Sequence, residues 1–461
     1  MNASDKPWDE PAPGGPPSGG IDRSAPIIRA LVVHPLRADH GVRRDAPSRR
    51  EEAVGLAEAL DLMVCGAEIA NLRAPHPATL FGKGKVAEIG ALAEELQAEV
   101  VVVDDALSPI QQRNLEKAWN AKVVDRTGLI LEIFARRART AEGKLQVELA
   151  RLAYERSRLV RTWTHLERQR GGLGKTGGPG ETQIELDRRI IDDKIVKLKK
   201  ELEEVRRTRT LHRAQRKKAP FPTLALVGYT NAGKSTLFNR LTGGGVLVKD
   251  MLFATLDTTL RQLQLPDGRP AILSDTVGFI SDLPHELVAA FRATLEEVQE
   301  ADVVLHVRDV ASENSDEQAR DVKTVLKQLG FEEQSHSRLI EVWNKIDKVP
   351  EDERGILATR ARRAVDTGAP EAWPVSAVTG EGCEALLKRL AELVDTAPAI
   401  DVLLAANDGK ALAWLYQNGR VMERADEDDG GVHLWVRLDD QALGRFERMF
   451  PGAQLKASAA E

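Results

Sequence analysis

Short apolar runs alternate with longer amphipathic stretches over most of this 461-residue chain. In the first part, Ile28–His34, Leu62–Ile69, Val100–Asp104 and Val123–Val124 read as strands. Helices are predicted over Arg49–Leu60 and Lys85–Leu96, and from a Ser108 cap to Trp119. Parallel strands need a crossover of a dozen or so residues, usually a helix, so this alternation predicts βαβ units. Residues 25–140 are therefore expected to form an α/β domain around a parallel sheet. The first 24 residues are rich in Pro and Gly and lack an apolar run, which predicts a disordered tail and not a signal peptide.

The texture changes after position 140. Two charged stretches, Leu145–Arg168 and Thr182–Arg216, read as long helices and enclose a glycine-rich segment, Gly171–Gly180. Residues 141–219 are thus expected to form a helical arm. From Arg188 to Lys218 there are 13 Lys or Arg against 5 Asp or Glu. Such a run is as readily a solvated face as a binding surface. The glycine segment tips the balance, because it is longer than a tight helix connection needs. It is flanked by Arg168, Arg170 and Lys175, which are the expected RNA contacts. Pro220 and Pro222 open the next segment, strand–helix alternation resumes through 220–397, and Pro398 closes it. Residues 398–461 hold a predicted helix (Gly409–Asn418), a strand (Val432–Val436) and a second helix (Asp439–Phe450), a small α/β appendage.

Composition narrows the function classes. The formal net charge is −6, so polyanion binding by the whole molecule is not supported and RNA contact must be local. Cys65 and Cys383 are far apart, which excludes a disulfide framework and a Cys-x-x-Cys zinc site and suits a reducing cytoplasm. No apolar run reaches the roughly 18 residues that cross a bilayer. No Gly-x-Ser-x-Gly occurs, and the nine histidines show no ligand spacing. A cytoplasmic monomer with no DNA partner is expected.

The chemistry lies in the 220–397 segment. Leu224–Val227 is an apolar strand, Gly228-Tyr229-Thr230-Asn231-Ala232-Gly233-Lys234-Ser235 follows, and Thr236–Leu241 continues as a helix. This octet matches G-x-x-x-x-G-K-[ST] in its confirming context. Backbone N–H groups of such a loop cradle phosphates, Lys234 reaches the β and γ oxygens, and Ser235 offers a hydroxyl to Mg²⁺. Phe253-Ala254-Thr255-Leu256-Asp257 offers Thr255 as a switch threonine for Mg²⁺ and the γ-phosphate. In Asp275-Thr276-Val277-Gly278, Asp275 would hold Mg²⁺ through water and Gly278 would place an N–H on the γ-phosphate. In Asn344-Lys345-Ile346-Asp347, Asp347 would accept from guanine N1 and N2, and Asn344 and Lys345 would brace the pocket. Adenine lacks those donors, and an unpaired buried carboxylate is costly. Ser376-Ala377-Val378 supplies a loop whose backbone meets guanine O6. Each motif is weak alone. In this order they predict a Ras-like GTPase domain that binds GTP and GDP. Ser235, Thr255 and Asp275 are its expected Mg²⁺ residues, and Lys234, Thr255 and Gly278 its expected catalytic groups.

Many Ras-like proteins place Gln after the D-x-x-G glycine to orient the attacking water. Here that position is Phe279, so slow intrinsic turnover is expected. Related GTPases with an apolar residue there carry an Asn in the phosphate loop that ligates K⁺. Asn231 could do this, or could only stabilise the turn.

Longer strings are more specific. HPATLFGKGKVAEI (76–89), LSPIQQRNLE (107–116), VVDRTGLILEIFARRARTAEGKLQVELARLAY (123–154), GETQIELDRR (180–189) and SDTVGFISDLPHELVAAFRATLEEV (274–298) resemble the HflX family over about 25–397. Thr258 and Arg308 depart from the family pattern without touching an assigned nucleotide contact. The resemblance implies binding to the large ribosomal subunit and its rRNA, GTP hydrolysis stimulated there, and rescue or splitting of stalled ribosomes under stress. The arm around Arg168–Gly180 would then approach the subunit's catalytic centre. Some members are said to bind ATP through the first domain, for which Gly82-Lys83-Gly84-Lys85 is a candidate loop. A bland turn and helix start explains that loop better. Two other functions compete: a GTP-controlled RNA-binding switch with incidental turnover, and ATP-dependent RNA remodelling by the N-terminal domain.

Overall fold

The computed structural model describes residues 27–37, 45–169, 179–216, 221–244, 252–253, 255–256, 258–281, 297–328, 331, 339–364, 369–394, 399–405, 408–426, 431–438 and 440–457. The tail 1–24, Arg170, Lys175, Ala254 and Asp257 lie outside them, and the side chain of Arg168 is not described. The chain divides into two compact units, residues 1–41 with 45–129, and 42–44 with 130–461.

The first unit holds β1 (Arg29–Arg37), β2 (Met63–Leu72), β3 (Val100–Val103) and β4 (Lys122–Asp125) in the parallel order β2-β1-β3-β4. Helices α1 (Ala46–Glu58), α2 (Lys83–Glu95) and α3 (Pro109–Trp119) make the crossovers. Ser108 closes a capping box with Gln111 at the start of α3. All four valines of β3 are buried, as a central parallel strand covered on both faces requires. At the carboxyl edge of the sheet, Asp104 lies 2.8 Å from His34 and 2.5 Å from Arg126, which also pairs with Glu52 at 2.5 Å. Burial alone would raise the Asp104 pKa, but Arg126 and His34 hold it below its ordinary value.

Helix α4 (Arg126–Arg137) was not among the predicted elements. It follows β4 with no connecting residue, so no turn signal separates the two. Helices α5 (Ala141–Gln169) and α6 (Pro179–Arg216) lie against each other, with Arg156 2.7 Å from Asp192. The predicted loop Gly171–Gly180 is corrected at its end: Pro179 and Gly180 belong to the first turn of α6, where proline's missing N–H costs nothing.

The central sheet has β5 (Thr223–Gly228), β6 (Thr259–Gln264), β7 (Pro270–Asp275), β8 (Val303–Asp309), β9 (Leu339–Asn344) and β10 (Ala372–Pro374). Their order is β10-β9-β8-β5-β7-β6, with β6 antiparallel to β7 and the other pairs parallel. Helices α7 (Lys234–Thr242), α8 (Ser315–Gln328), α9 (Glu351–Arg363) and α10 (Cys383–Leu393) accompany it. Gly228, Asp275, Asp309 and Asn344 each end a strand. Every nucleotide motif is therefore delivered to the carboxyl edge, where open α/β sheets bind ligands.

The last segment has more sheet than its sequence suggested. Around α11 (Gly409–Asn418) and α12 (Asp440–Met449) run β11 (Ala399–Leu404), β12 (Arg420–Asp426), β13 (Val432–Arg437) and β14 (Gln454–Ala457). They form an antiparallel sheet ordered β12-β13-β11-β14. Its core joins Ile400, Val402, Leu434 and Val436 to Leu415 and Phe446. The edge strand β12 carries the polar sequence RVMERAD, which gives no alternation to read.

Beneath the central sheet lies a buried charge cluster. Glu341 accepts hydrogen bonds from Arg308 at 2.8 Å and Trp343 at 3.0 Å, and sits 2.9 Å from Lys323. Burial would raise its pKa, but Arg308 and its other partners hold it at about 2. His306, paired in register with Glu341, is fully buried, and burial pushes its pKa down to about 3 against the pull of Glu341. His306 is therefore neutral in the fold, while the unfolded chain takes up a proton near pH 6.5. Its contribution is fully present above pH 6.5 and declines as pH falls towards 3. Between pH 7 and 5, His306→Gln should lose about 2 kcal/mol less unfolding free energy than the unaltered protein in urea titrations. Equal losses would disprove the neutral buried histidine.

Candidate nucleotide site

The loop between β5 and α7 takes its shape from its glycines. Gly228 has φ 153° and Gly233 φ 90°. A methyl group on Gly233 would lie 2.2 Å from the Asn344 amide nitrogen, and one on Gly228 would lie 2.2 Å from the Val307 carbonyl oxygen. Asn231 sits at φ 60°, a left-handed conformation that Asn tolerates, and is exposed at the cavity mouth. Lys234 is buried and donates to the carbonyls of Gly228 at 3.1 Å and Tyr229 at 2.8 Å. Burial pushes its pKa down to about 8, opposed by Asp275 and assisted by Lys345. A buried ammonium whose hydrogen-bond partners among the described residues are carbonyls is electrostatically suited to a phosphate.

Three oxygens converge beside it. The Ser235 hydroxyl is 2.8 Å from Thr255 Oγ1 and 2.7 Å from Asp275 Oδ2, which Thr255 also approaches at 3.3 Å. Asp275 Oδ1 is buried with no hydrogen-bond partner among the described residues. Burial raises the Asp275 pKa, and its bonds to Ser235 and Thr255 and the charge of Lys234 oppose this. An orphaned carboxylate oxygen beside two hydroxyls is a donor set that fits a hard divalent cation.

At the other end, Asn344 donates to the Ala232 carbonyl at 2.9 Å and accepts from the Ala377 N–H at 3.0 Å. Ser376 donates to Asp347 Oδ1 at 2.6 Å, and Arg354 donates to the Asp347 carbonyl at 3.0 Å. Lys345, at φ 67°, is held by Asp309 at 2.8 Å. The cavity between these ends measures about 240 Å³. It is lined by Thr230, Asn231, Gly233 to Thr236, Phe253, Thr255, Thr276, Gly278, Asn344, Lys345, Asp347, Ala377 and Val378.

Other motif residues stand behind this wall. Gly228, Tyr229, Ala232, Leu256, Asp275, Val277, Ile346 and Ser376 are buried and do not line the cavity. Ser376 acts on it through Asp347, and the Tyr229 hydroxyl accepts from the Ser281 N–H at 2.9 Å. Lys348 lines the cavity without having been anticipated, and the signal for it is only its place after Asp347. Asp309 was also missed, although an acid that ends an apolar strand is a visible cue. Phe279 is buried: its N–H donates to the Gly228 carbonyl at 3.0 Å and its carbonyl accepts from the Thr230 N–H at 2.7 Å. Phe253, at φ 54°, packs its ring edge-on against Phe134, centroids 4.7 Å apart.

Four family models cover most of the chain: GTP-binding GTPase N-terminal over 48–135, GTP-binding GTPase Middle Region over 137–216, 50S ribosome-binding GTPase over 223–345 and HflX C-terminal domain over 361–460. The GTPase HflX of Magnetococcus marinus is 52% identical over 421 residues, 91% of this chain and 94% of the relative. The chain belongs to the HflX family. The GTPase HflX of Escherichia coli is 47% identical over 367 residues, 79% of this chain and 84% of the relative. A GTP-binding protein from Sulfolobus solfataricus in complex with GDP superimposes with a TM-score of 0.44 at 24% identity, over 80% of this chain and 99% of that one. As an HflX-family member the protein is a GTPase, with the P-loop sheet and guanine-nucleotide-binding domain that its motifs implied. No helix among the described residues is long and apolar enough to cross a membrane.

A phosphate placed beside Lys234 is expected to make nucleotide binding pH-dependent. The Lys234 pKa, about 8 without phosphate, must rise beside an anion, so binding takes up a proton near that pH. Calorimetry of GDP binding at pH 8, in buffers of different ionisation enthalpy, should show uptake of a fraction of a proton. Lys234→Ala should abolish the uptake. No uptake in the unaltered protein would refute the buried, phosphate-directed ammonium.

Proposed function

We propose that the protein binds the large ribosomal subunit, hydrolyses GTP in response, and rescues or splits stalled ribosomes in the cytoplasm. The observation that carries this reading is the 223–345 match to a 50S ribosome-binding GTPase family model, on a chain that belongs to the HflX family throughout. The helical arm, residues 141–219, is the proposed probe of ribosomal RNA, with Arg168, Arg170 and Lys175 as its proposed RNA contacts.

In the proposed site, the loop from Gly228 to Ser235 wraps the phosphates and Lys234 neutralises the β and γ oxygens. Mg²⁺, held at Ser235, Thr255 and Asp275, would supply charge neutralisation on the phosphate oxygens. Gly278 offers an N–H to the γ-phosphate, and a methyl built there would lie 2.8 Å from Thr230 Cγ2 and 2.9 Å from Thr230 Cα, which leaves no room for a side chain. Asn344 and Asp347 take the base, and Asp347→Asn should move preference from guanine to xanthine nucleotides in competition binding. Unchanged GTP affinity in that variant would remove Asp347 from the base site. Asn231 would hold K⁺, which would supply the positive charge that an arginine finger supplies elsewhere.

Hydrolysis measured in K⁺ buffer with and without purified large subunits tests the main reading. A rise of at least about tenfold with subunits is expected, since the isolated site has no side chain after Gly278 to orient water. Deleting 171–178 should leave GTP binding intact and abolish subunit splitting. A second reading, a GTP-controlled RNA-binding switch with incidental turnover, is favoured by the burial of Phe279. It takes precedence if subunits leave the rate unchanged.

A further inference from the structure

Arg240 lies in the last turn of α7, outside every nucleotide motif, and its side chain reaches the 376–378 loop. An arginine at a helix C-terminus commonly bonds its own helix's last carbonyls. Arg240 does otherwise. Its Nε donates to the Ala377 carbonyl at 3.0 Å, and its Nη2 donates to the Val378 carbonyl. The guanidinium fork thus grips two successive carbonyls of the 376–378 loop, which is 137 residues away in sequence.

The grip has a directional consequence. A trans peptide is planar, so the carbonyl of one residue and the N–H of the next point in opposite directions. Holding the Ala377 carbonyl towards Arg240 turns the Val378 N–H away from it, and Val378 is part of the cavity wall. The two neighbouring amides are already engaged: Ala377 N–H with Asn344 Oδ1 at 3.0 Å, and Thr379 N–H with Ser376 Oγ at 3.1 Å. We infer that Arg240 is a positioning residue for base selection, which presents the Val378 N–H as the donor to the six-position oxygen of guanine. Asp347 reads the N1 and N2 edge; Arg240 sets the loop that reads O6. Through α7, which begins at Lys234, the same side chain ties the base loop to the phosphate-binding helix.

The inference rests on the reading of Asp347 and the 376–378 loop as the base end of the site. Release of a fluorescent GDP, and competition by GDP against 2,6-diaminopurine riboside diphosphate, separate the two. The diaminopurine keeps the 2-amino group but carries an amino donor where guanine has O6, and it has no proton at N1. The N1 loss falls at Asp347 and is common to the unaltered protein and the Arg240 variants. The change in preference on substituting Arg240 therefore reports the six position. Arg240→Ala should speed GDP release about fivefold and shrink the preference for GDP over the diaminopurine by a similar factor, the scale of one ordinary hydrogen bond. Arg240→Lys, which cannot present a fork, should fall between the two. The loss in kcat/KM for GTP should come through KM. If Arg240→Ala weakens both diphosphates equally, or neither, the clamp is wrong. If Asp347→Asn also leaves base preference untouched, the base-site assignment has failed, and not the clamp alone.

Discussion

Two hydrogen bonds of one buried side chain join the halves of the nucleotide site. Asn344, the last residue of β9, reaches the Ala232 carbonyl in the phosphate loop and the Ala377 N–H in the base loop. Each partner comes from a different strand–loop connection, so the amide fixes the distance between the two loops that the proposed site gives to phosphate and to base. Gly233 must lack a side chain because the Asn344 amide fills the space where its Cβ would lie. The motifs are therefore one interlocked object, and a change at either end displaces the other. The Phe279 backbone adds a second tie, pairing with Gly228 and Thr230 on the opposite side of the loop.

The protein manages buried charge in two ways. In the first unit, His34 and Arg126 both bond Asp104, and Arg126 also pairs with Glu52, giving a closed structural network. The Glu341 cluster in the central sheet is of the same kind, with Arg308 its chief cation. That arginine bonds Glu341 and Asp316, and stands 5.8 Å from the Trp343 ring centre. At the nucleotide site the charges are left undermatched. Lys234 is burdened by burial and Asp275 retains a bare oxygen. A buried charge without its full set of partners is costly, and such groups cluster where ligands bind.

Much of this was legible in the sequence. The βαβ rhythm of 25–140 and the P-loop with its flanking strand and helix depend on local period and on glycine, whose constraints do not need the rest of the chain. The order of the motifs likewise announced a guanine-nucleotide domain. The misses share a cause. Helix α4 follows its strand without a turn residue, and β12 is a polar edge strand that acquires its conformation from pairing with β13. Arg240 and Asp309 belong to no motif, because their partners are distant in sequence.

The sequence by itself determined which chemical groups are present and in what order: the glycines that permit the loop, the lysine, the hydroxyls and the acids. Tertiary structure alone decided which of them face the cavity. Tyr229, Ile346 and Ser376 sit inside motifs yet point into the protein, while Lys348 lies outside them and faces in. The physical reason is that strand order, not chain order, brings β5, β7, β8 and β9 to a common edge. There, side chains reach backbone carbonyls more than a hundred residues away, as Asn344 does with Ala232 and Arg240 with Ala377.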